Sequence, residues 1–392
     1  GVHHRATLVA ELHRTLVDSG RNLNPGLWSR QGGRNTLLRG YGETCVPSRR
    51  DVLAAGALGV TALAGCTALD DGPPRSARWH HDASAVFDTD SYLYAGLNVP
   101  TLRANSDRLP PELQSGLDRA REFSEAIALD DVDRLLATGY GRPERGQAGL
   151  TLVATGNFDA DAIDAEIQDT FRPVEGGLVT PEGTYRGYQC YASAPALGRN
   201  WPQFQGPDQP EPPDFTFGVG YDSNALVASV TLGLDLDALE GVHAAIDART
   251  GNGTRLTERA PVRHCLSVTD GHPLVAGVSE AGLAVLQQET AGDSGNALAL
   301  AKGLVFSYRF DPDRLRVAVV FDPADLLSRD RLRSLLDNLF ADEDEERDLD
   351  IEHVGVARDG RVIYADIAVG PEAIGRLNDG TATPTPTTGV WI

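Results

Sequence analysis

Short apolar segments joined by tight turns recur between residues 85 and 378, and they limit the fold more than any other feature of this sequence. Phe215–Val219 and Ala225–Leu232 flank the turn-forming residues Asp222-Ser223-Asn224, which predicts an antiparallel hairpin. Another pair of apolar segments turns in the same way at Asp359-Gly360. Single helical segments separate these hairpins. The pattern is typical of an α+β protein with antiparallel-rich sheets, and we expect its helices to pack on one face.

The order of these predicted elements occurs twice along the chain. Each time a strand is followed by a helix, two strands, a second helix and two more strands, an order similar to ferredoxin-like units. Phe158-Asp159, after one predicted strand, matches Phe321-Asp322 after another. One hypothesis is that residues 85–250 and 251–378 are duplicated α+β halves. The alternative is a coincidence in a chain rich in Ala, Asp and Val.

The chain is strongly acidic, with 35 basic and 56 acidic residues and a formal net charge of −21. Lys302 is its only lysine. Acid-rich, lysine-poor surfaces are typical of proteins from haloarchaea, because molar salt screens charge repulsion over about 3 Å. We predict no nucleic-acid partner, since such binding depends on basic surfaces that neutralise phosphates.

Residues 48–66 combine three features of an export signal. Arg49 and Arg50 precede the apolar run Val52–Ala64, which ends in small residues before Cys66. As a helix this run would span about 20 Å, whereas a bilayer core is about 30 Å thick. The run therefore fits the apolar part of a signal peptide better than a transmembrane helix. A buried helix rich in Ala and Gly is the alternative.

The segment Ser48-Arg49-Arg50-Asp51-Val52-Leu53 resembles a twin-arginine (Tat) signal, and Leu63-Ala64-Gly65-Cys66 resembles a bacterial-type lipobox. With the acidic composition, the chain resembles Tat-exported lipoproteins of an uncharacterised haloarchaeal family. The resemblance implies export in the folded state by the Tat translocase. It also implies a lipid on Cys66 that holds the protein at the outer face of the cell membrane.

The signal divides the chain into further segments. Residues 46–66 form the signal, so we expect residues 1–45 to be an annotation extension upstream of the true start. Residues 67–84 are polar and predict a tether between the membrane and the folded part. Residues 379–392 are rich in Thr and Pro and predict a disordered tail. Removal of residues 1–65 takes away eight arginines and four acids, which leaves a net charge of −25.

Two cysteines remain beyond the signal, and an exported protein can join such a pair. Cys190 and Cys265 could form a disulfide or be two separate buried thiols, and the sequence favours neither. Asn252 begins an Asn-Gly-Thr acceptor for glycosylation in a predicted surface loop. Trp201 and Phe204 belong to a long Pro-rich loop that is a candidate binding loop. The alternative for Trp201 is that it only fastens this loop to the core.

Catalytic and metal-binding motifs are absent from the linear sequence. His80-His81-Asp82 is the densest group of potential ligands, but its place at the end of the predicted tether favours solvated side chains. His264, Cys265 and His272 lack the usual spacing of zinc ligands. Ser279 misses the Gly-x-Ser-x-Gly pattern and is better explained as a helix N-cap. We therefore predict no catalytic residues, metal or cofactor.

These observations predict a lipid-anchored surface protein outside the cytoplasm of a halophilic archaeon. Its leading function is a non-catalytic binding or structural module for a surface partner or ligand. An extracytoplasmic hydrolase without a linear motif is one alternative. A transporter's solute-binding lipoprotein is another, although such proteins usually contain parallel sheets, which a hairpin-rich pattern does not predict.

Overall fold

An antiparallel sheet of twelve strands runs through the part of the chain that the structure describes. This computed structural model defines residues 75–109, 114–115, 117–118, 124, 126–142, 147–171, 179–193, 215–233, 237–269, 271–289, 300–310, 313–321, 351–357 and 361–368. The strands are β1 (Ser91–Asn98), β2 (Val132–Arg142), β3 (Gln147–Gly156), β4 (Val179–Tyr185), β5 (Tyr188–Ser193), β6 (Phe215–Tyr221), β7 (Ala225–Leu232), β8 (Leu274–Ser279), β9 (Ala301–Phe310), β10 (Asp313–Phe321), β11 (Ile351–Ala357) and β12 (Val362–Ala368).

The strands lie in the order β11-β12-β10-β9-β8-β1-β2-β3-β7-β6-β5-β4, and all neighbours are antiparallel. β1 lies inside the sheet, between β2 and β8. On each side of this junction, three strands follow in chain order and a later hairpin adds to the third. The resulting orders are β1-β2-β3-β7-β6 and β8-β9-β10-β12-β11, with β5 and β4 extending the first.

Helices cover both faces of this sheet, so the expectation of helices on one face is wrong. Val242 belongs to the same apolar cluster as Val153, whereas Ile163 belongs to the cluster of the next strand residue, Ala154. Successive strand residues point to opposite faces, so the helices that carry Val242 and Ile163 lie on opposite sides. The helices are α1 (Ala83–Phe87), α2 (Val99–Ala104), α3 (Ala160–Phe171), α4 (Ala238–Thr250), α5 (Ala260–Val268) and α6 (Glu280–Glu289).

We name the two sides by these helices. The α4 face carries α1, α4 and α5, and the α3 face carries α2, α3 and α6. Both faces need cover because strands such as β10 are apolar at consecutive positions, and Val317 to Val320 are all buried. The α+β class and the antiparallel sheet are confirmed. In the described ranges, no helix is both long and apolar enough to cross a membrane.

The end of the predicted tether is part of the folded core. Arg75–Trp79 forms a 3-10 helix, and α1 follows it directly. Trp79 packs on the α4 face with Val242 and Val227, and residues 79–83 are buried. The prediction of a tether over 67–84 is therefore wrong from residue 75 onward. Of its buried polar residues, His80 bonds to β2 and Asp82 bonds to Arg259 at the start of α5.

β4 and β5 form a hairpin that turns at only two residues. Arg186 and Gly187 have φ angles of 49° and 93°, and the cross-strand pair Tyr185–Tyr188 closes the turn. A two-residue hairpin turn of type I′ requires positive φ at both central positions. Gly187 supplies it without strain, and Arg186 adopts it because Asp247 on α4 holds its side chain.

Candidate functional site

His80-His81-Asp82 is buried on the α4 face, although the sequence predicted solvated side chains there. Asp82 Oδ2 accepts a hydrogen bond of 2.8 Å from Arg259 Nε, and Asp82 Oδ1 accepts one of 3.1 Å from the backbone of Ser84. His80 Nδ1 shares a hydrogen bond of 2.9 Å with Thr138 Oγ1 on β2. These contacts fasten the N-terminal segment to the sheet and to the start of α5.

Burial keeps both histidines neutral. The ring of His81 packs edge-on against Phe87 and Tyr140, with ring centroids 6.4 Å and 5.7 Å away. Burial lowers the pKa of His81 to about 4, against the opposing effect of the Asp82 charge. Burial and the neighbouring His81 lower the pKa of His80 to about 3. Neither ring is therefore charged near neutral pH.

His80 and Thr138 place an imidazole beside a hydroxyl, a combination that can activate a nucleophile. Two features argue against that chemistry here. Both side chains are buried, and each is already the hydrogen-bond partner of the other. A group with a pKa of about 3 is also a weak general base near pH 7. In the described ranges, no group of three or more His, Cys, Asp or Glu side chains could hold a metal ion. This cluster is best explained as an internal structural support.

Cys190 and Cys265 are separate buried thiols, which decides between the two alternatives left by the sequence. Cys190 lies on β5 and Cys265 lies on α5, which packs on β8, β9 and β10. At about 4.8 Å per strand, these elements are roughly 30 Å apart, whereas a disulfide needs Cα atoms within about 7 Å. Burial raises the pKa of Cys265 to about 12, so this thiol is unreactive.

Asp164 of α3 is the centre of a polar cluster on the α3 face. Its Oδ1 accepts hydrogen bonds from the hydroxyls of Tyr191, at 2.6 Å, and Tyr221. Gln168 Nε2 donates to Oδ2 at 2.6 Å. These hydrogen bonds lower the pKa of Asp164, the tyrosines contributing most. The cluster fastens α3 to β5 and β6, and its carboxylate accepts three hydrogen bonds.

The structure places two of the remaining predicted sites, and the others lie outside the described residues. Ser279 Oγ accepts from the backbone of Gly282 at 3.2 Å, which confirms its N-cap role at the start of α6. Asn252 is exposed in the turn after α4, and its glycosylation stays a prediction. The candidate binding loop with Trp201 and Phe204 lies outside the described residues. So do the export signal with Arg49 and Arg50, the lipidation site Cys66, residues 1–45 and residues 379–392.

A row of large apolar side chains crosses the α3 face, and sequence reasoning missed it. Leu93, Gly139, Leu150, Val230 and Phe217 are successive cross-strand partners from β1 through β2, β3 and β7 to β6. Four strand spacings of about 4.8 Å give this row a length of about 19 Å. We call Leu93, Leu150, Leu152, Phe217 and Val230 the apolar row.

The apolar row is unusually exposed for the middle of a sheet. Leu93 is 44% exposed and Leu152 is 38% exposed, while Leu150, Phe217 and Val230 are partly buried. A Cβ atom at Gly139 would lie 2.9 Å from Leu93 Cγ, so the missing side chain lets Leu93 lie across β2. α6 packs on β8 and β1, and α3 bonds to β5 and β6, so the row lies on the strands between them.

Comparisons with known proteins add little to this description. No family model matches the chain, and no curated protein matches it. Among solved structures, crystal form I of TP0453 aligns with a TM-score of 0.39 and 12% identity, over 79% of this chain and 99% of that chain. Crystal form III gives a TM-score of 0.39 and 13% identity, over 80% and 99%. Likenesses this weak carry no argument about this protein.

Proposed function

We propose that this chain is a non-catalytic binding module, held by a lipid on Cys66 at the outer face of the membrane of a halophilic archaeon. In this proposal the apolar row receives the apolar part of a ligand or partner. The observation that carries it is the exposure of Leu93, 44%, and Leu152, 38%, on central strands of the sheet. Contiguous exposed apolar surface commonly marks an interaction site.

The described polar clusters support a non-catalytic role. The carboxylates of Asp82 and Asp164 make structural contacts, with Arg259 and with two tyrosines respectively. The imidazole of His80 is buried with a pKa of about 3. Catalytic acids and bases need pKa values near the working pH and access to a substrate. The apolar row, by contrast, is accessible and gains free energy when it is covered.

The energetic basis of binding is the removal of leucine surface from water. Burying a leucine side chain completely is favourable by about 1.5–3 kcal/mol. Because Leu93 and Leu152 are partly exposed, a ligand that covers them would gain a substantial part of this free energy. In molar salt, apolar contacts keep their strength while charge contacts are screened. An apolar row is therefore a suitable binding surface for an acidic protein in a saline exterior.

The proposal is tested with the apolar dye bis-ANS and two variants. Leu152→Asp places a charge in the apolar row, and we expect it to weaken dye binding about tenfold, the equivalent of about 1.4 kcal/mol. Leu300→Asp is the matched control, because Leu300 is 41% exposed but lies before β9, outside the row. Equal affinities of the two variants, or no saturable binding by the unmodified chain, would contradict the proposal.

The membrane anchor has a separate test. Cys66→Ser removes the only atom in the proposed signal that can carry the lipid, so the exported protein should move from the membrane fraction to the medium. In this proposal the lipid is what holds the protein at the membrane, so its loss should release the protein. Continued recovery of the variant with membranes would argue against anchoring through Cys66.

We also infer that the two parts of the sheet arose by duplication. The orders β1-β2-β3-β7-β6 and β8-β9-β10-β12-β11 place equivalent strands at equivalent positions. Phe158 follows β3 and Phe321 ends β10, as the sequence match requires. Superposition of an experimental structure's five strand pairs tests this inference. If the two parts do not superpose in that alignment, the duplication is refuted.

A further inference from the structure

Three arginines lie together on the α4 face, at one end of β9 and β10. Arg309 on β9 is the direct cross-strand partner of Arg314 on β10, and Arg316 lies two positions along β10. Like charges directly opposite each other on a sheet repel. The chain as a whole has a formal net charge of −21, so this cluster runs against its composition. The end of these two strands is therefore a local basic feature in an acidic protein.

Arg316 is the structural member of this group. Its Nε and Nη2 donate to the two carboxylate oxygens of Asp366 at 2.6 Å and 2.8 Å. Its Nη1 donates to the carbonyl of Val268, in the last turn of α5, at 2.6 Å. The charge of Asp366 is thus matched by Arg316. Among the described residues no carboxylate forms an ion pair with Arg309, which adds its own positive charge.

Three buried polar atoms near these arginines have no hydrogen-bond partner among the described residues. They are Ser307 Oγ, Arg309 Nε and His272 Nδ1. Ser307 is fully buried, lies two positions before Arg309 on the same face, and pairs across the strands with Arg316. Buried polar atoms in folded proteins nearly always have a partner, because an unmet one is costly. Three together require an explanation.

His272 reaches this region through the turn after α5. Gly271 has a φ of 76°, and the His272 amide donates to the carbonyl of Thr269 at 3.1 Å. Burial, followed by the charges of Arg316 and Arg309, lowers the pKa of His272 to about 4. The imidazole is therefore neutral near pH 7 and can offer one N–H donor. β8 begins two positions after His272, and its first residue, Leu274, pairs with Tyr308, the chain neighbour of both Ser307 and Arg309.

We propose that Ser307, Arg309 and His272 form a binding site for a small oxyanion, namely a phosphate or carboxylate group. A hydroxyl, a guanidinium and an imidazole N–H are all donors, and together they suit oxygen atoms that carry negative charge. A guanidinium offers N–H groups in a planar fork that matches two oxygens of such an anion. A metal cation would be repelled by Arg309. The bound anion would supply the partners that these buried atoms lack.

The site is independent of the apolar row. It lies on the α4 face, whereas Leu152 and its neighbours lie on the α3 face. A ligand with both an apolar part and an anionic group could not touch both faces across the sheet. The two proposals therefore stand or fall separately, and Leu152→Asp should leave anion binding unchanged.

The test measures anion binding by isothermal titration calorimetry on the full chain at constant ionic strength. Inorganic phosphate and acetate are titrated separately, because a tetrahedral and a planar anion distinguish the two sources of the same chemistry. Saturable binding of either one is the expected result. Arg309→Gln should weaken it about tenfold or more, since a hydrogen bond from a charged donor is lost. Arg103→Gln, in an exposed ion pair with Asp130, is the matched control.

Ser307→Ala separates binding from a purely structural role. In the absence of anion, removal of an unpartnered buried hydroxyl should leave the melting temperature unchanged or raise it. The same variant should weaken anion binding about tenfold. A fall in the melting temperature of the anion-free protein would show that Ser307 has a structural partner, and would overturn the proposal. Absence of saturable binding, or equal affinity in Arg309→Gln and Arg103→Gln, would overturn it as well.

Discussion

Arg259 Nε donates to Asp82 Oδ2 at 2.8 Å, across 177 positions of sequence. The same guanidinium donates to Asp90 Oδ1 at 3.1 Å and to the hydroxyl of Ser84, and it lies over the ring of Tyr92. A single side chain at the start of α5 thereby holds the N-terminal segment, α1 and the approach to β1. The polar residues before β1 are consequently part of the fold.

Arg259→Gln should lower the free energy of unfolding by about 2–3 kcal/mol, because Asp82 would stay buried without its charged partner. Denaturant unfolding measures this loss. Arg103→Gln is the control, since Arg103 and Asp130 are 31% and 69% exposed and such pairs contribute less than about 1 kcal/mol. Equal losses in the two variants would show that Asp82 does not depend on Arg259.

His81→Phe should make the protein less sensitive to acid. Unfolded histidine titrates near pH 6.5, whereas folded His81 has a pKa of about 4. As the pH falls, the unfolded state takes up this proton first, so the contribution of His81 is complete above about pH 6.5 and is lost towards pH 4. Phe removes the titration and keeps the packing on Phe87 and Tyr140.

Denaturant unfolding between pH 4.5 and 6 checks this prediction. The variant's stability should fall less steeply with decreasing pH, by up to about 1.4 kcal/mol per pH unit. His80 and His272 also have lowered pKa values and will keep part of the acid sensitivity. Above pH 7 the two proteins should show the same slope. An unchanged slope in the acid range would mean that His81 is not buried in its neutral form.

Gly277→Ala should destabilise the protein by about 1–3 kcal/mol, because overfilled cores force neighbours to move. Gly277 is the cross-strand partner of Tyr94, and a Cβ atom there would lie 2.2 Å from Tyr94 Cζ. Gly303→Ala, on the neighbouring strand β9, is the matched control, since its nearest atom would be 3.5 Å away. Thermal unfolding of both variants tests the difference, and similar melting temperatures would refute it.

The hairpins were predictable because their turn chemistry is local. Asp222 Oδ1 accepts from the backbone amides of Asn224 and Ala225, both at 2.7 Å, as expected for a short acidic turn between β6 and β7. The apolar segments predicted on either side of Asp359-Gly360 are β11 and β12. The cover on both faces of the sheet was not predicted, although the buried run Val317–Val320 indicates it. Consecutive apolar residues in a strand indicate cover on both sides.

Local sequence patterns predict neither the buried polar groups nor the glycines that lie opposite large side chains on neighbouring strands. The environment of His81 is apolar because the rings of Phe87 and Tyr140, which are far apart in sequence, both pack on it. The pairing of Gly139 with Leu93 depends on strand register, which no local pattern fixes. α5 has only nine residues, too few for a clear helical periodicity, and no sequence pattern predicted it.

The place of β1 inside the sheet has a consequence for the timing of biosynthesis. The Tyr92 amide donates to Ser279 Oγ across 187 positions, so one edge of β1 has no native neighbour until the ribosome has passed β8. Strands this far apart in sequence pair slowly, and until they do, the unpaired edge of β1 can bind other chains. A fragment that stops after α4 would keep that edge permanently open. We expect such a fragment to aggregate, even though its own seven strands are complete.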